Sequence, residues 1–308
     1  MANPVICIGA ALVDELFHAT GELLLATTTD ATVTKTAGGV SRNIAQQLAI
    51  LGVPVQLISV FGNDSDGDWL KQSCTSAGVK LDASITKEGL SGKYTGLLNA
   101  DGSLYTAFLT NAANHLITPE HLSKHADLLK TASYLCADAN ISVETAQWLL
   151  AFSKETGIPF IIEPVSVPPA LKFKNVDLSG LHLITPNEDE LPALCSGDAF
   201  FTQQQVEELL NRGIEQIWLH NGVHGSALYT REKSVSLHAP KIEVVDCTGA
   251  GDGSLSGFLL AKHLGKDGID CLKLAHTLSA EILQVNGAIA THLNREKLLT
   301  LVSKYYPD

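Results

Sequence analysis

Short apolar, β-branched runs alternate with helical stretches along much of the chain, and that alternation restricts it to a sheet covered by helices. Val5-Ile-Cys-Ile8, Val55 to Val60, Tyr134-Leu-Cys-Ala137, Phe160-Ile-Ile162, Leu181-His-Leu-Ile184 and Gln216-Ile-Trp-Leu219 read as buried strands. Residues 41–51, 69–77, 143–154 and 203–212 read as helices, with Gly52 and Gly78 placed as stops after the first two. Strands apolar on both faces and separated by helices predict an α/β protein with a mostly parallel sheet and helices on both sides.

One region breaks the rhythm. From Tyr94 to Leu109 two alternating runs flank Asn99-Ala-Asp-Gly102, a strong hairpin turn. The Thr-rich segment from Ala11 to Lys35 is poorly helical and is expected to pair with it. Segments of approximately 11–36 and 91–112 are therefore expected to form a small β lid, with an ordinary sheet-edge extension as the alternative. No repeat, low-complexity tract or long linker divides residues 1–308, which read as one domain.

Composition narrows the function classes. With 45% hydrophobic and 18% charged residues the chain can bury a large core, and its net charge of −12 argues against a nucleic-acid surface. No apolar run approaches the ~20 residues of a membrane span. Six scattered cysteines without a Cys-x-x-Cys pair predict a reduced, cytoplasmic protein rather than a disulfide scaffold or zinc site.

The sharpest chemistry lies in Asp246-Cys-Thr-Gly-Ala-Gly-Asp252-Gly. The run Ile242, Val244, Val245 before it predicts a strand, and residues 254–263 after it predict a helix. A Gly-rich turn opening a helix presents backbone N–H groups and the positive end of a dipole, which together make an anion site. A carboxylate there repels an anion unless it has work to do. Phosphoryl transfer supplies that work: the loop holds the phosphoryl group and Asp252 takes the proton of the attacking hydroxyl. The helix N-terminus should keep Asp252 ionised. Taken alone, the loop reads equally well as a turn with Asp252 as a helix cap.

Four other clusters join it, each with a plainer alternative. In Ala37-Gly38-Gly39-Val-Ser-Arg-Asn43, two glycines permit close backbone approach to a ligand and Asn43 stands in a first helical turn, where a carboxamide can bind hydroxyls; the alternative is a Gly-rich helix start. Asp14, near the carboxyl end of the first strand, is placed to grip sugar hydroxyls, or is a surface turn residue. In Thr185-Pro-Asn187-Glu-Asp-Glu190, Asn187 and Glu190 can share a helical face and suit Mg²⁺ held through water and phosphate, or they start a helix. His220-Asn221-Gly222-Val-His-Gly225 reads as a strand, a turn able to pass beneath a nucleotide, and a returning strand; alone it is a hairpin. His115, His220 and His224 gain no catalytic role.

These motifs in this order resemble the ribokinase-like carbohydrate kinases, the PfkB family, over nearly the whole chain. Residues 37–52 are similar to the family's N-terminal signature, residues 246–257 to its C-terminal signature, and Asn187-x-x-Glu190 to its metal-linked motif. The resemblance implies a three-layer αβα sandwich with a β lid, ATP as donor and Mg²⁺. It makes Asp252 the base and the backbone of Gly249, Ala250 and Gly251 the anion hole. Asp14, Gly38, Gly39 and Asn43 would contact the acceptor. Asn187, Asn221, Gly222, Gly225 and Thr248 would join the glycines of the loop around the nucleotide. Some members bind K⁺, for which Asp246 and Thr248 match contributing positions. A homodimer through the lid is also implied.

Within the family, Gly38 to Gly52, Ala137-Asp-Ala-Asn140-Ile-Ser142 and Glu163-Pro-Val-Ser166 resemble the pseudouridine kinase branch. That branch usually has Asp where this chain has Glu163, and the extra methylene moves a carboxylate by about 1.5 Å. Asn140 would face the acceptor pocket, and Asn111 and Asn114 the nucleobase edge. The alternatives are a kinase for ribose, another nucleoside or a ketohexose, and a non-catalytic ligand-binding homologue.

Overall fold

The computed structural model describes residues 3–197 and 201–307. Fourteen strands appear among them, in chain order: β1 (Val5–Ile8), β2 (Leu12–Ala19), β3 (Ala31–Gly38), β4 (Val55–Ile58), β5 (Val60–Gly62), β6 (Ile85–Lys87), β7 (Lys93–Leu98), β8 (Leu104–Thr110), β9 (Tyr134–Asp138), β10 (Phe160–Glu163), β11 (Leu183–Ile184), β12 (Gln216–His220), β13 (Ser226–Tyr229) and β14 (Ser234–Leu237). Eight of them form a central sheet ordered β14-β13-β12-β11-β10-β9-β1-β4. The six from β4 to β12 are parallel, and β13 and β14 turn back antiparallel at one edge.

Alternate residues of β1 feed two separate cores. Ile6 and Ile8 pack with Leu149, Leu150 and Phe152 of the helix Val143–Thr156 on one side. Val5 and Cys7 share the other side with the helices Val40–Ile50, Ala250–His263 and Ile269–Leu283. The result is the three-layer αβα arrangement expected from the alternation. The last two helices pack most closely at Gly257, where a Cβ would come within 2.7 Å of the Ala275 Cα.

The chain leaves β1 first toward β4 on one side and later returns to β9 on the other. Such a reversal opens a crevice at the carboxyl ends of the two strands. Asp138, the last residue of β9 and 1% exposed, fills its floor. Its Oδ2 accepts the Ala10 N–H at 2.8 Å and the Ser41 N–H at 3.0 Å, and its Oδ1 accepts the Asn140 N–H at 3.0 Å.

The Thr-rich segment and the hairpin do pair, in a second sheet ordered β3-β2-β7-β8. The Asn99–Gly102 turn closes β7 onto β8 as read, with the Asn99 N–H on the Ser103 carbonyl. Lys35 and Lys93 fasten this sheet to Asp66 of the helix Ser65–Ser76 at 2.5 and 3.5 Å.

Three expectations change. The 55–60 run splits after Ile58, and β5 leaves the central sheet to pair with β6. The 181–184 run yields only Leu183–Ile184 as strand. The run at 242–245 forms no strand: β14 already edges the sheet, Val244 and Val245 are 48% and 57% exposed, and the Val245 N–H bonds the Leu283 carbonyl at a helix end. β-branched residues make a strand only where a sheet edge is there to receive them. All six cysteines are free, and Cys247 alone of the six is exposed. Among the described residues no helix is long and apolar enough to cross a membrane.

Truncating Asp138 to alanine leaves two buried N–H groups without acceptors. The variant should lose about 2–4 kcal/mol of stability in urea unfolding. A midpoint matching the parent would show that the backbone at Ala10 and Ser41 finds other partners.

Candidate active site

The loop before the helix Ala250–His263 is held at both ends. Asp246 Oδ1 accepts the Thr248 N–H at 2.9 Å, and its Oδ2 accepts the Gly287 N–H at 2.8 Å. Gly249 then turns the chain into the helix with φ 76°, where a Cβ would sit 2.5 Å from Ala288. The first helical N–H groups, those of Ala250, Gly251 and Asp252, have no acceptor within the helix by their position. They are the free N–H groups expected of this loop.

Asp252, third in the helix, is buried beside them. Asn43, in the first turn of the helix Val40–Ile50, donates its Nδ2 to Asp252 Oδ2 at 2.6 Å. Burial pushes the Asp252 carboxyl up from 3.8 to about 6, the Asn43 hydrogen bond and the Arg42 charge pull it down, and Asp138 and Asp14 add to the rise. Desolvation is the largest influence on this carboxyl. At neutral pH the group is ionised, yet it is a stronger base than an ordinary aspartate.

Asp14 lies in β2, opposite Thr36 and Tyr94, and burial likewise raises it to about 6 against the pull of Arg42. The two glycines serve the chain itself. A side chain on Gly38 would overlap the Asp14 carboxylate, and one on Gly39, at φ 99°, would strike the Ala10 carbonyl. Close approach is needed here, but to the protein's own atoms.

Further along the carboxyl edge, Asn187 and Glu190 cap a helix reciprocally. Asn187 Oδ1 accepts the Glu190 N–H at 2.9 Å, and Glu190 Oε2 accepts the Asn187 N–H at 3.0 Å. Asn187 thus precedes the helix Glu190–Leu194 and shares no helical face with Glu190. The helix-start reading of this motif holds, and it leaves a buried carboxylate at the edge of the crevice. Burial raises the Glu190 carboxyl and raises Glu163, the last residue of β10, well above the usual range. Asp252, Glu190 and Asp138 push Glu163 further in the same direction. Asn221 follows β12, whose end His220 bridges to Asn187, and the turn over Gly222 and Gly225 leads into β13 as read. Asn221 Oδ1 and Thr185 Oγ1 are both buried without hydrogen-bond partners.

The remaining sites lie at the margin. Asn140, half-buried, stands two residues beyond β9 at the same edge. Asn111 follows β8, exposed and with φ 54°; among the described residues no hydrogen bond ties its side chain to the cluster. Asn114 opens a short 3₁₀ turn. Two central residues were not read from sequence as parts of the site. Arg42 is a guanidinium 1% exposed, and its only sequence signal is a charge placed between two glycines and the apolar stripe of a helix. Asp138 lies within the Ala137–Ser142 stretch that carries the resemblance, but no role was read for it.

The pfkB family carbohydrate kinase profile matches residues 3–295. The chain belongs to the pfkB family of carbohydrate kinases. Pseudouridine kinase of Escherichia coli (strain K12) is 30% identical over 259 residues, 82% of each chain. The structure of Arabidopsis thaliana ribokinase complexed with ribose and ATP superposes with a TM-score of 0.87 at 25% identity, over 98% of this chain and 99% of that one. A putative ribokinase II from E. coli in complex with ATP and Mg²⁺ has the same fold, with a TM-score of 0.84 at 19% identity over 99% and 100%. This pfkB kinase is accordingly a sugar or nucleoside kinase that transfers a phosphoryl group to an alcohol.

A carboxyl whose pKa is raised on folding binds its proton more tightly in the native state. Stability then falls as pH climbs from about 4 to 6 and stays reduced above. Asp252→Asn should therefore melt above the parent at pH 7.5, by roughly 2–4 °C for each kcal/mol released, and the gap should close near pH 4. A calorimetric gap that is absent at pH 7.5, or that widens toward pH 4, would contradict the raised carboxyl.

Proposed function

We propose that this kinase phosphorylates the 5′-hydroxyl of pseudouridine with ATP, giving pseudouridine 5′-phosphate and ADP. The observation that carries the chemistry is the Asn43–Asp252 contact at the mouth of the anion-binding loop, which joins the two signatures in one crevice. A hydroxyl seated between Asp14 and Asp252 attacks the γ-phosphorus. The new O–P bond forms as the bond from phosphorus to the β,γ-bridging oxygen breaks, and the hydroxyl proton passes to Asp252. The N–H groups of the loop at Gly249, Ala250 and Gly251 hold the oxygens of the phosphoryl group in flight.

The buried groups fit both ATP and Mg²⁺. Asn221 Oδ1 and Thr185 Oγ1 are orphaned polar atoms of the kind a nucleotide satisfies, beside a turn at Gly222 and Gly225 that can run beneath it. Glu163 and Glu190 are buried carboxylates without a compensating cation, and among the described residues no three acidic, His or Cys side chains form a cage. That donor set suits Mg²⁺, which is held through water and phosphate and when bound offsets the charge on the phosphate oxygens. Asn187 would reach it through water. Each Asp246 oxygen accepts one backbone N–H and keeps a second lone pair, so these bonds neither support nor oppose K⁺ at Asp246 and Thr248.

Pseudouridine as acceptor rests on the similarity to the E. coli enzyme and on the stretches around Asn43, Asn140 and Glu163. Ribose is the second reading, favoured by the superposition on the ribose-bound plant enzyme. ADP release would be followed with ATP and Mg²⁺ against pseudouridine, uridine, adenosine, ribose and fructose. Selective turnover of pseudouridine is expected; preference for ribose or adenosine would replace the acceptor, and thermal stabilisation by ligands without ADP would remove transfer altogether. Asp252→Asn should lower kcat by about 10²–10⁴ while ATP binding stays unchanged.

The β3-β2-β7-β8 sheet is the lid in this reading, excluding water from the crevice. Val33, Leu104, Tyr105, Phe108 and Leu109 on it are each more than half exposed, which suits a homodimer formed lid to lid. Sedimentation should give a dimer that Phe108→Lys dissociates; a parent sedimenting as a monomer at micromolar concentration would end this idea.

A further inference from the structure

We propose that Arg42 is a positioning residue of the transfer site, fixing the Asn43 carboxamide so that its N–H, and not its oxygen, faces Asp252. The inference rests on Asp252 as the base and assigns a role to a side chain that touches no reacting atom.

The argument starts from donor and acceptor inventory. A carboxamide offers an oxygen at one end and an NH₂ at the other, and it can be turned either way. Asp252, when ionised, only accepts. If the Asn43 oxygen faced it, two acceptors would meet in a buried space. Arg42 removes that choice, because a guanidinium only donates. Its Nη2 donates to Asn43 Oδ1, so the NH₂ must point the other way, toward Asp252 Oδ2.

Arg42 is itself immobilised. Its Nε donates to the Gly38 carbonyl at 3.0 Å, Nη2 to the Ala37 carbonyl at 2.5 Å, and Nη1 to Gln46 Oε1. Two of these acceptors belong to the end of β3, the strand paired with the one that carries Asp14. Every partner is neutral, although the residue is almost fully buried. A buried ion bonded only to neutral groups is a poor way to stabilise a fold, since an apolar side chain fills the same space without desolvation. Its value lies in what its charge and its fork do nearby.

The charged and titratable groups around the pair come from several elements. Asp14 from β2, Cys74 from the helix Ser65–Ser76 and Asp252 act on Arg42. Asp14, Asp138 from β9 and Arg42 act on Asp252, and Asp252 in turn acts on Glu163 from β10. Among these groups Arg42 is the cation, with the carboxylates of Asp14 from β2 and Asp252 from the helix Ala250–His263 acting on it. It therefore both orients the amide and opposes the crowding of negative charge.

Arg42→Lys and Arg42→Gln separate this role from simple packing. Lysine can still only donate, so it should retain part of the kcat. Glutamine can present either end to Asn43, so kcat should fall about 10²-fold with the ATP KM nearly unchanged. In an Asn43→Ala background Arg42→Gln should cost less than twofold further. A second readout needs no turnover: in ¹⁵N-edited NMR, the Asn43 side-chain NH₂, assigned by its loss in Asn43→Ala, should exchange with solvent at least tenfold faster in Arg42→Gln than in the parent. Folded Arg42→Gln with parental kcat, an effect that multiplies in full with Asn43→Ala, or unchanged exchange would overturn the proposal. If the parent transfers phosphoryl to no acceptor, the function fails while amide exchange still decides whether Arg42 orients Asn43.

Discussion

Asp252 is a buried carboxylate, and the crevice is organised about that fact. Asn43, the side chain that bonds its carboxylate among the described residues, lies 209 residues earlier in the chain. Desolvation raises the carboxyl, the amide and the Arg42 charge limit the rise, and the balance leaves a base that is ionised at neutral pH but still wants a proton. A fully solvated aspartate would be too weak a base, and one with no donors would stay protonated. In the proposed reaction the helix terminus that would hold the transferred anion shares its space with a negative side chain, an arrangement that makes sense where the anion and the carboxylate serve the same step.

The neighbouring groups follow from the same constraint. Asp138, at the point where the sheet changes direction, accepts three backbone N–H groups and thereby fixes the exit of β1 and the start of the helix Val40–Ile50. Gly38 makes room for Asp14, and Gly39 for the Ala10 carbonyl. Asp246 spends both oxygens holding the loop before Gly249. On the far side of the crevice, Glu163 and Glu190 each accept a single backbone N–H, from Val165 and Asn187, which does not offset their burial, and their carboxyls are raised. The two walls thus differ in how many backbone donors their carboxylates receive, three at Asp138 and one each at Glu163 and Glu190.

Much of this was legible in the residues, and the exceptions have physical reasons. Strand and helix alternation is a local signal, so the sandwich could be read directly, as could the Asn99–Gly102 hairpin. Asn43 and Asp252 were each readable as polar residues beside glycines, but their contact was not, because it depends on how two distant helices pack. Arg42 was hidden for a related reason: a charged residue early in a helix ordinarily faces water, and only the closure of β3 over it removes that water. The 242–245 run misled because propensity says nothing about whether a sheet edge is available. Asn187 and Glu190 were read as sharing a helical face, whereas the helix begins only at Glu190 and Asn187 caps it.

The long separations in this core carry a consequence for how the protein is made. The helix Val40–Ile50 is synthesised early, yet it packs against the helix Ala250–His263. Its Gln47 accepts the Ala290 N–H, and the Leu51 carbonyl beyond it accepts Arg295 Nε. Until the last fifth of the chain emerges, this face of the sheet carries the helix Val40–Ile50 without the helices Ala250–His263 and Ile269–Leu283, and the apolar core shared by Ile44 and Leu48 with Leu255 and Leu278 is only half built. A nascent chain that stops short of Ala250 is then a sandwich with one face half covered, a natural client for a chaperone that binds apolar surface.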